Sequence, residues 1–367
     1  YWTISEDGTK YTFTLREGVT FHDGSAFDAE AVKFNFDRML NEDHPYHDTG
    51  PFPLAFFFDP IQSIEVLDPH TVAFELDQPF APLLSNLPYP TGLMVSPAAV
   101  RRHGSDYGRR PAGTGPFRFV DWQPRRRVLL ERNPDYWGTP ARPRLLLFRP
   151  VSDPMTRVAE LMAGGIDLAT ELSPDNLALL RGDPRFRVHE QTGPHLWFLI
   201  LNLRSEPLAD RRVRQALKLC QNREKILALA YFGQGMEGQD IHVSPKHPEY
   251  CPIDTPKYDP AKAKKLLAEA GYPEGEGLDV LMMHNTSEAH AQIAQAVQAM
   301  WQEAFPQANI TIENQEWAVY LKTLLPESPD EEKPHIYRLG WCADYPDSNN
   351  WLNEVFNSKS GQNYGKF

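Results

Sequence analysis

A histidine close to the start of a predicted helix is the first candidate for binding chemistry. Ser287 is suited to cap a helix over 288–304, and this places His290 in the first helical turn. The free N–H groups and the positive dipole end of that turn favour an anion such as a carboxylate. A first-turn histidine can equally be an ordinary surface residue, so the sequence leaves both interpretations open.

A second candidate region follows a predicted strand near the carboxyl end of the chain. Asp344 lies just beyond a strand-like run that ends near Leu339, in a loop stopped by Pro346, and therefore at a strand end. The alternative is a loop carboxylate that is satisfied by neighbouring backbone N–H groups. Trp317 and Trp341 are either core residues or the broad apolar walls that a site for varied side chains needs.

The motifs of common enzyme chemistries are absent from the sequence. It has no Gly-x-Ser-x-Gly elbow, no phosphate loop followed by Lys-Ser/Thr and no His-Glu-x-x-His. One close histidine pair, His44 and His47, lies in a loop where the spacing indicates no third ligand, so we expect no metal site and no cofactor. The sequence therefore favours a binding protein over an enzyme.

The three cysteines form no zinc pattern, and their odd number leaves at least one thiol unpaired within the chain. Cys220 falls near a helix end and Cys251 in the following Pro-rich loop, a separation that a disulfide can span in an oxidising compartment. The alternative is that all three, including Cys342, are small buried hydrophobic residues. The sequence does not decide between these interpretations.

Size and composition bound the architecture. A chain of 367 residues exceeds what one hydrophobic core usually organises, which favours two or three lobes. With 41% hydrophobic residues and no apolar run of about 18 or more, we expect a globular chain that does not span a membrane. The net charge of -12 argues against a nucleic-acid surface, and we expect the basic run 125–127 at the solvated bend of a hairpin.

The pattern of the first part of the chain predicts a lobe that contains both helices and strands. Residues 10–17 alternate as a half-buried strand, and Asp28 is suited to cap a helix over 29–40. Apolar residues of 64–66 and 72–76 flank Asp68-Pro69-His70, which predicts two strands joined by a tight turn. These elements predict an α+β lobe over residues 1–97.

The remainder predicts two further parts, over 98–194 and 195–367. The first contains a hairpin of 116–122 with 127–132 and a helix that begins at Asp153-Pro154 and ends near Gly164. In the second, strands alternate with helices, as in a βα lobe. The strands are predicted at 196–202, 278–283, 309–314 and 335–340, and the helices near 210–232, 259–270 and 287–304.

Several separate segments carry a family resemblance and occur in the family's order. They are Tyr11 to Val19, Thr114-Gly-Pro-Phe117, Val213-Arg-Gln-Ala-Leu217 and Tyr258 to Gly271. Across essentially its whole length, the chain resembles the extracellular solute-binding proteins that serve peptide and nickel ABC importers. The resemblance implies a bilobal α/β flytrap fold with an additional α+β lobe.

Within that family, the segments Asn285 to His290, Asn314 to Trp317 and Arg338 to Tyr345 are similar to those that line the ligand cleft of oligopeptide-binding proteins. The resemblance implies that Asp344 pairs with the α-ammonium group of a peptide and that Arg338 and His290 meet a carboxylate. It also implies that Trp317 and Trp341 wall side-chain pockets, that the peptide adds as a strand beside Gly340, and that Tyr46 reaches it from the opposing lobe. Asn285 belongs to the same ligand-binding set.

The sequence also departs from these relatives. The segment 195–198 has no cysteine, although some relatives have one there that bridges to the position of Cys342, and the run 199–201 lacks an acidic residue that some place near the ligand. From the resemblance, we also expect that this sequence lacks the family's opening and closing segments. We expect a monomeric, periplasmic or otherwise extracytoplasmic protein that delivers short peptides to a membrane permease. The same role for a nickel chelate, a sugar or an opine-like conjugate is the alternative.

Overall fold

In the computed structural model, the chain is described except for residues 53, 171, 173, 192, 194, 232, 234, 238–242, 244–248, 326–327, 330–332, 346, 361–362 and 365–367. It forms two compact units, Tyr1–Glu171 and Leu172–Phe367. The further division of the first unit near residue 97 remains a prediction.

The first unit begins with an antiparallel sheet of order β1-β2-β4-β3. Its strands are β1 (Trp2–Ile4), β2 (Lys10–Thr14), β3 (Ile61–Asp68) and β4 (Thr71–Leu76). Helix α1 (Ala29–Leu40) has the predicted bounds, because the Asp28 carboxylate accepts a hydrogen bond from the Ala31 N–H at 2.9 Å. The apolar stripe of α1 is buried with the inner face of β4, as alternation predicted.

A second sheet of the first unit has the order β5-β6-β7. Strands β5 (Phe117–Gln123) and β6 (Arg127–Arg132) form the predicted hairpin, and Arg125 adopts a positive φ of 61° at its bend. Strand β7 (Leu145–Phe148) was not predicted, because it is a short continuous apolar run that has no alternation to mark it. The other helices of this unit are α2 (Leu83–Asn86), α3 (Pro97–His103) and α4 (Pro154–Met162).

The second unit is built around a mixed sheet of order β10-β9-β11-β8. Its elements are α5 (Pro174–Arg181), β8 (His195–Leu201), α6 (Arg211–Leu219), α7 (Arg223–Tyr231), α8 (Pro260–Glu269), β9 (Asp279–Asn285), α9 (Glu288–Ala304), β10 (Asn309–Gln315), α10 (Trp317–Leu324), β11 (Ile336–Cys342) and α11 (Asn349–Leu352). All four predicted strands are confirmed. The helix predicted near 210–232 is instead two helices, because α6 ends at Leu219, with Cys220 as its C-cap, before the polar Gln221-Asn222.

Both faces of this sheet are covered. One face packs, with α6, α8 and α9, into the largest cluster of buried residues, which includes Met282, Trp301 and Ile336. The other face contributes Ile200, Met283 and Leu339 to a smaller cluster with Tyr320 and Leu324 of α10. Alternation along each strand therefore sends neighbouring side chains into two different environments.

Across the part of the chain that the structure describes, no helix combines the length and the apolar character that crossing a bilayer requires.

Candidate functional site

The parallel strands of the second unit end at one edge of their sheet. Strand β9 pairs in parallel with β10 and β11, so Asn285, Gln315 and Cys342 mark the same edge. Strand β8 runs antiparallel and starts there, with His195 opposite Cys342. In open α/β sheets, ligands bind outside the carboxyl ends of the strands. The predicted site residues of this unit lie at or next to this edge.

Strand β11 has different neighbours along its two sides. It pairs with β8 along its full length, from Ile336 to Cys342. Its pairing with β9 covers only Ile336 and Tyr337. Beyond Tyr337, the described strands leave the β9 side of β11 without a ladder partner. The sheet therefore opens at its carboxyl edge, and we name the unpaired β9 side of residues 338–342 the fork.

Arg338 lies at the base of the fork with an incomplete set of partners. Its Nη1 donates a hydrogen bond to Asn285 Oδ1 at 3.3 Å, and its guanidinium lies 5.7 Å from the ring centroid of Trp197. Its Nε is buried with no hydrogen-bond partner, and no carboxylate among the described residues pairs with it. Burial lowers the pKa of Arg338 to about 10, which still leaves it charged at neutral pH.

Gly340 makes room for this arginine. It shares a face of β11 with Arg338 and lies directly opposite Trp197 on β8. A Cβ atom at this position would fall 2.8 Å from Arg338 Nη2 and 3.1 Å from the Leu196 carbonyl oxygen. The missing side chain therefore lets the guanidinium fold back over the strand toward the Trp197 ring.

His290 lies in the first turn of α9, as predicted, but in a state that the sequence did not predict. Its Nδ1 is buried with no hydrogen-bond partner. Burial, together with the charge of Arg338, lowers the pKa of His290 to about 4, although its interaction with the Asn285 backbone raises it. The imidazole of the free protein is therefore neutral near pH 7. Ser287 occupies the N-cap position without a capping hydrogen bond from its side chain.

Asp344 and Trp341 are joined by a residue that the sequence analysis did not single out. Asn350 Oδ1 accepts hydrogen bonds from Trp341 Nε1 at 2.7 Å and from the Asp344 N–H at 3.0 Å. Its Nδ2 donates to Asp344 Oδ2 at 3.2 Å. Asn350 is fully buried, so this end of the site is held by an amide in the protein interior.

Trp317 begins α10 and remains 44% exposed. Its ring stacks on Tyr320 with a centroid separation of 6.2 Å. Tyr320 is fully buried, and its hydroxyl donates to the backbone carbonyl of Arg338. The exposed indole of Trp317 thus packs on a buried tyrosine, and that tyrosine is hydrogen-bonded to the strand that carries Arg338.

Tyr46 belongs to the first unit, whereas the other predicted site residues belong to the second. It packs on a cluster of buried residues that includes Phe34, with ring centroids 5.9 Å apart. Its backbone carbonyl accepts a hydrogen bond from the Thr49 hydroxyl. Its role toward a ligand remains a prediction.

The cysteines are all free in the structure. Cys220 is buried, whereas Cys251 and Cys342 are exposed. The bridge between Cys220 and Cys251, which the sequence left open, is therefore absent. Burial raises the pKa of Cys220 to about 12, so this thiol is inert as a nucleophile near neutral pH. The described residues contain no group of three or more His, Cys, Asp or Glu that could hold a metal ion.

The structure thus gathers Arg338, Asn285, His290 and Gly340 at one place and Trp341 with Asp344 at another. Trp197, Tyr320 and Asn350 were missed. A tryptophan within an apolar strand and a tyrosine within an amphipathic helix look like core residues, so the sequence gives no signal for the first two. For Asn350, the run Asp347-Ser348-Asn349-Asn350 after the strand was an available signal, since such residues form local side-chain hydrogen bonds.

Comparison with known proteins defines the class. Residues 1–363 match the family described as bacterial extracellular solute-binding proteins, family 5 Middle. The chain is 30% identical to the dipeptide-binding protein of Escherichia coli (strain K12) and 32% identical to di/tripeptide-binding protein 1 of Pseudomonas aeruginosa (strain UCBPP-PA14). Both alignments cover 100% of this chain and 71% of the relative.

Solved structures agree with this assignment. The dipeptide-binding protein from Pseudoalteromonas sp. SM9913, in complex with Met-Leu, aligns with a TM-score of 0.84 at 27% identity, over 100% of this chain and 74% of that one. The periplasmic binding protein DppA of Helicobacter pylori, in complex with the peptide STSA, gives 0.81 at 29% identity, over 99% and 73%. The chain belongs to the extracellular solute-binding protein family 5, and the expected bilobal α/β fold is confirmed.

Proposed function

We propose that this protein binds short peptides as the extracytoplasmic substrate-binding component of an ABC importer and delivers them to a membrane permease. One observation carries the proposal: a strand with an open edge has a cation near one end and an anion beyond the other. Arg338 and Asp344 are complementary to the carboxylate and the ammonium group of a zwitterion. A peptide is the zwitterion whose backbone also matches the open strand edge between them.

The spacing supports a ligand of a few residues. Six positions separate Arg338 from Asp344, which an extended chain covers in at most roughly 20 Å. The two side chains take up part of that span. In the fork, backbone hydrogen bonds beside Gly340 give affinity that does not depend on the peptide sequence.

The aromatic residues line the proposed site with apolar surface and not with hydrogen-bonding groups. Trp317 offers an exposed indole face, and the indole N–H of Trp341 is already bonded to Asn350. Both rings therefore present apolar surface, which accepts varied side chains. Tyr46 of the first unit contributes a further contact to the peptide.

The remaining parts of the proposal follow from family membership. The relatives are binding proteins by name, so we propose that the chain has no catalytic activity. We also propose that it works as a monomer outside the cytoplasm, where it meets the permease. The pairing of a cation with an anion favours a zwitterionic peptide over a sugar.

Two measurements test the proposed function. Native mass spectrometry of the purified protein should detect peptides of a few residues that co-purify. Isothermal titration should then show that a free tripeptide binds at least about tenfold more tightly than its C-terminal amide or its N-acetyl derivative, because each modification removes one charge pair. Equal binding of all three forms would contradict recognition of the two termini.

A further inference from the structure

Asn350 is placed to control the anionic end of the site. It lies in α11, six residues beyond Asp344, and its side chain is fully buried. Three of its side-chain hydrogen bonds go to Trp341 and Asp344. One amide therefore connects an aromatic wall, a loop backbone and a carboxylate.

The orientation of this amide is fixed by its partners. The indole Nε1 of Trp341 and the backbone N–H of Asp344 are obligate donors, so the atom between them must be the oxygen. The nitrogen then faces Asp344 Oδ2 and donates to it. A carboxylate at position 350 would place two acceptors face to face, and an aliphatic side chain would leave both donors without partners.

We propose that Asn350 is the positioning residue that holds Asp344 in the conformation that receives the ammonium group of the ligand. This inference rests on the proposed function, since it assumes that Asp344 meets that group. A carboxylate on a loop can adopt several rotamers, and ordering it when the ligand arrives costs free energy. Asn350 orders it beforehand, and the same amide fixes the Trp341 wall relative to that charge.

The loop around Asp344 shows why position 350 carries this role and position 349 does not. Asn349 donates to the Tyr345 hydroxyl at 2.8 Å, and its N–H bonds to Asp347 Oδ1 at 2.8 Å. Neither contact involves Asp344 or Trp341. Asn349→Ala is therefore a matched control, which perturbs the same short helix and loop while leaving the proposed positioning contacts in place.

The principal test uses isothermal titration with a tripeptide and its N-acetyl derivative. Wild type and Asn349→Ala should lose at least about tenfold in affinity on N-acetylation. In Asn350→Leu, the free peptide should bind about tenfold more weakly and the N-acetyl penalty should fall below about threefold, because Asp344 is no longer held toward the ammonium group. Thermal unfolding checks that each variant is folded.

Asn350→Asp gives a second readout that a purely structural role would not produce. It keeps an oxygen between the two donors but places a second carboxylate against Asp344. Two adjacent carboxylates repel each other when both are ionised, so the pair keeps one proton up to a higher pH than a single carboxylate does. Because an ammonium group favours the ionised pair, binding to this variant should release a proton. Its affinity relative to wild type should therefore rise from about pH 5 to pH 8.

The possible failures are distinguishable. A full N-acetyl penalty in folded Asn350→Leu, or a pH profile of Asn350→Asp that matches wild type, overturns the positioning role. A full penalty in Asp344→Asn overturns the assignment of Asp344 as the ammonium partner, and with it this part of the proposed function. Loss of the penalty in Asp344→Asn and in Asn350→Leu, but not in Asn349→Ala, supports both.

Discussion

The two ends of the open edge of strand β11 differ in how completely their charged groups are already satisfied. At Asp344, a buried amide already satisfies one carboxylate oxygen and the backbone N–H. At Arg338, a partly buried guanidinium keeps an unbonded Nε and has no carboxylate partner among the described residues. One end is ordered before binding, whereas the other keeps a desolvated charge that only an anion can fully compensate. The Asp344 end is thus prepared by its geometry, whereas the Arg338 end is prepared by its uncompensated charge.

The largest expected effect comes from removing the uncompensated charge. Arg338→Met should weaken binding of a free tripeptide by about tenfold or more, because the ligand carboxylate loses its charged partner. The same change should leave thermal stability equal or higher, since an apolar chain of similar length replaces a partly buried, unpaired charge. Titration and thermal unfolding of the same preparation check both statements.

Asp344→Asn should also lose binding but, unlike Arg338→Met, it should show no gain in thermal stability. If Arg338→Met lowered stability by several degrees, the guanidinium would be a structural element of the protein, and the comparison between the two ends would fail.

A smaller effect is expected where the guanidinium folds over the strand. Gly340→Ala adds a Cβ at 2.8 Å from Arg338 Nη2, so the side chain must shift. Affinity for the free tripeptide should fall by about threefold to tenfold, while the C-terminal amide should bind as it does to wild type. Titration of both ligands is the measurement. An equal loss for acid and amide would place the effect in the backbone of β11 and not in Arg338.

The smallest expected effect concerns His290 and acid. Its pKa is about 4 in the folded protein, against an ordinary value of 6.5, so the unfolded chain binds the proton first as pH falls. The stabilising contribution of neutral His290 is complete above pH 6.5 and is lost progressively as pH falls from 6.5 toward 4. Chemical denaturation across this window should show a weaker pH dependence for His290→Gln than for wild type.

The groups that face His290 define the controls for that experiment. Arg338 and His284 disfavour its protonation, and the Asn285 backbone favours it. Arg338→Met should therefore raise the pKa of His290 toward its ordinary value, so that less stability is lost as pH falls from 6.5 toward 4. Because the free protein holds His290 neutral between pH 8 and pH 6, this imidazole adds no positive charge at the start of α9 over that range.

The sequence predicted the elements more completely than the contacts between them. Helix α1 and the β5–β6 hairpin follow from capping and alternation, which are local properties. The positions of Asp344 and His290 follow from the same patterns together with the family resemblance. The fork was beyond reach, because it depends on how far β9 and β11 pair, and no local pattern specifies this.

The residues that were missed share one physical property. Trp197 and Asn350 act through partners that are distant in sequence or hidden by burial, and single-residue chemistry does not show such partners. The lowered pKa of His290 has the same origin, since it depends on burial and on Arg338. Sequence patterns identified the ionisable residues. Their protonation states could not be predicted in the same way, because they depend on the residues packed around them.

The fork also bears on how the protein avoids unwanted association. An unpaired strand edge is a template for aggregation, and proteins usually shorten, charge or cover such edges. Here the free edge covers only residues 338–342 and has the Arg338–Asn285 hydrogen bond across its base. An edge of this length offers little backbone with which a strand of another folded molecule could pair. We therefore expect that the short edge with a charge at its base disfavours association of the empty protein, while the proposed peptide ligand is short enough to pair with it.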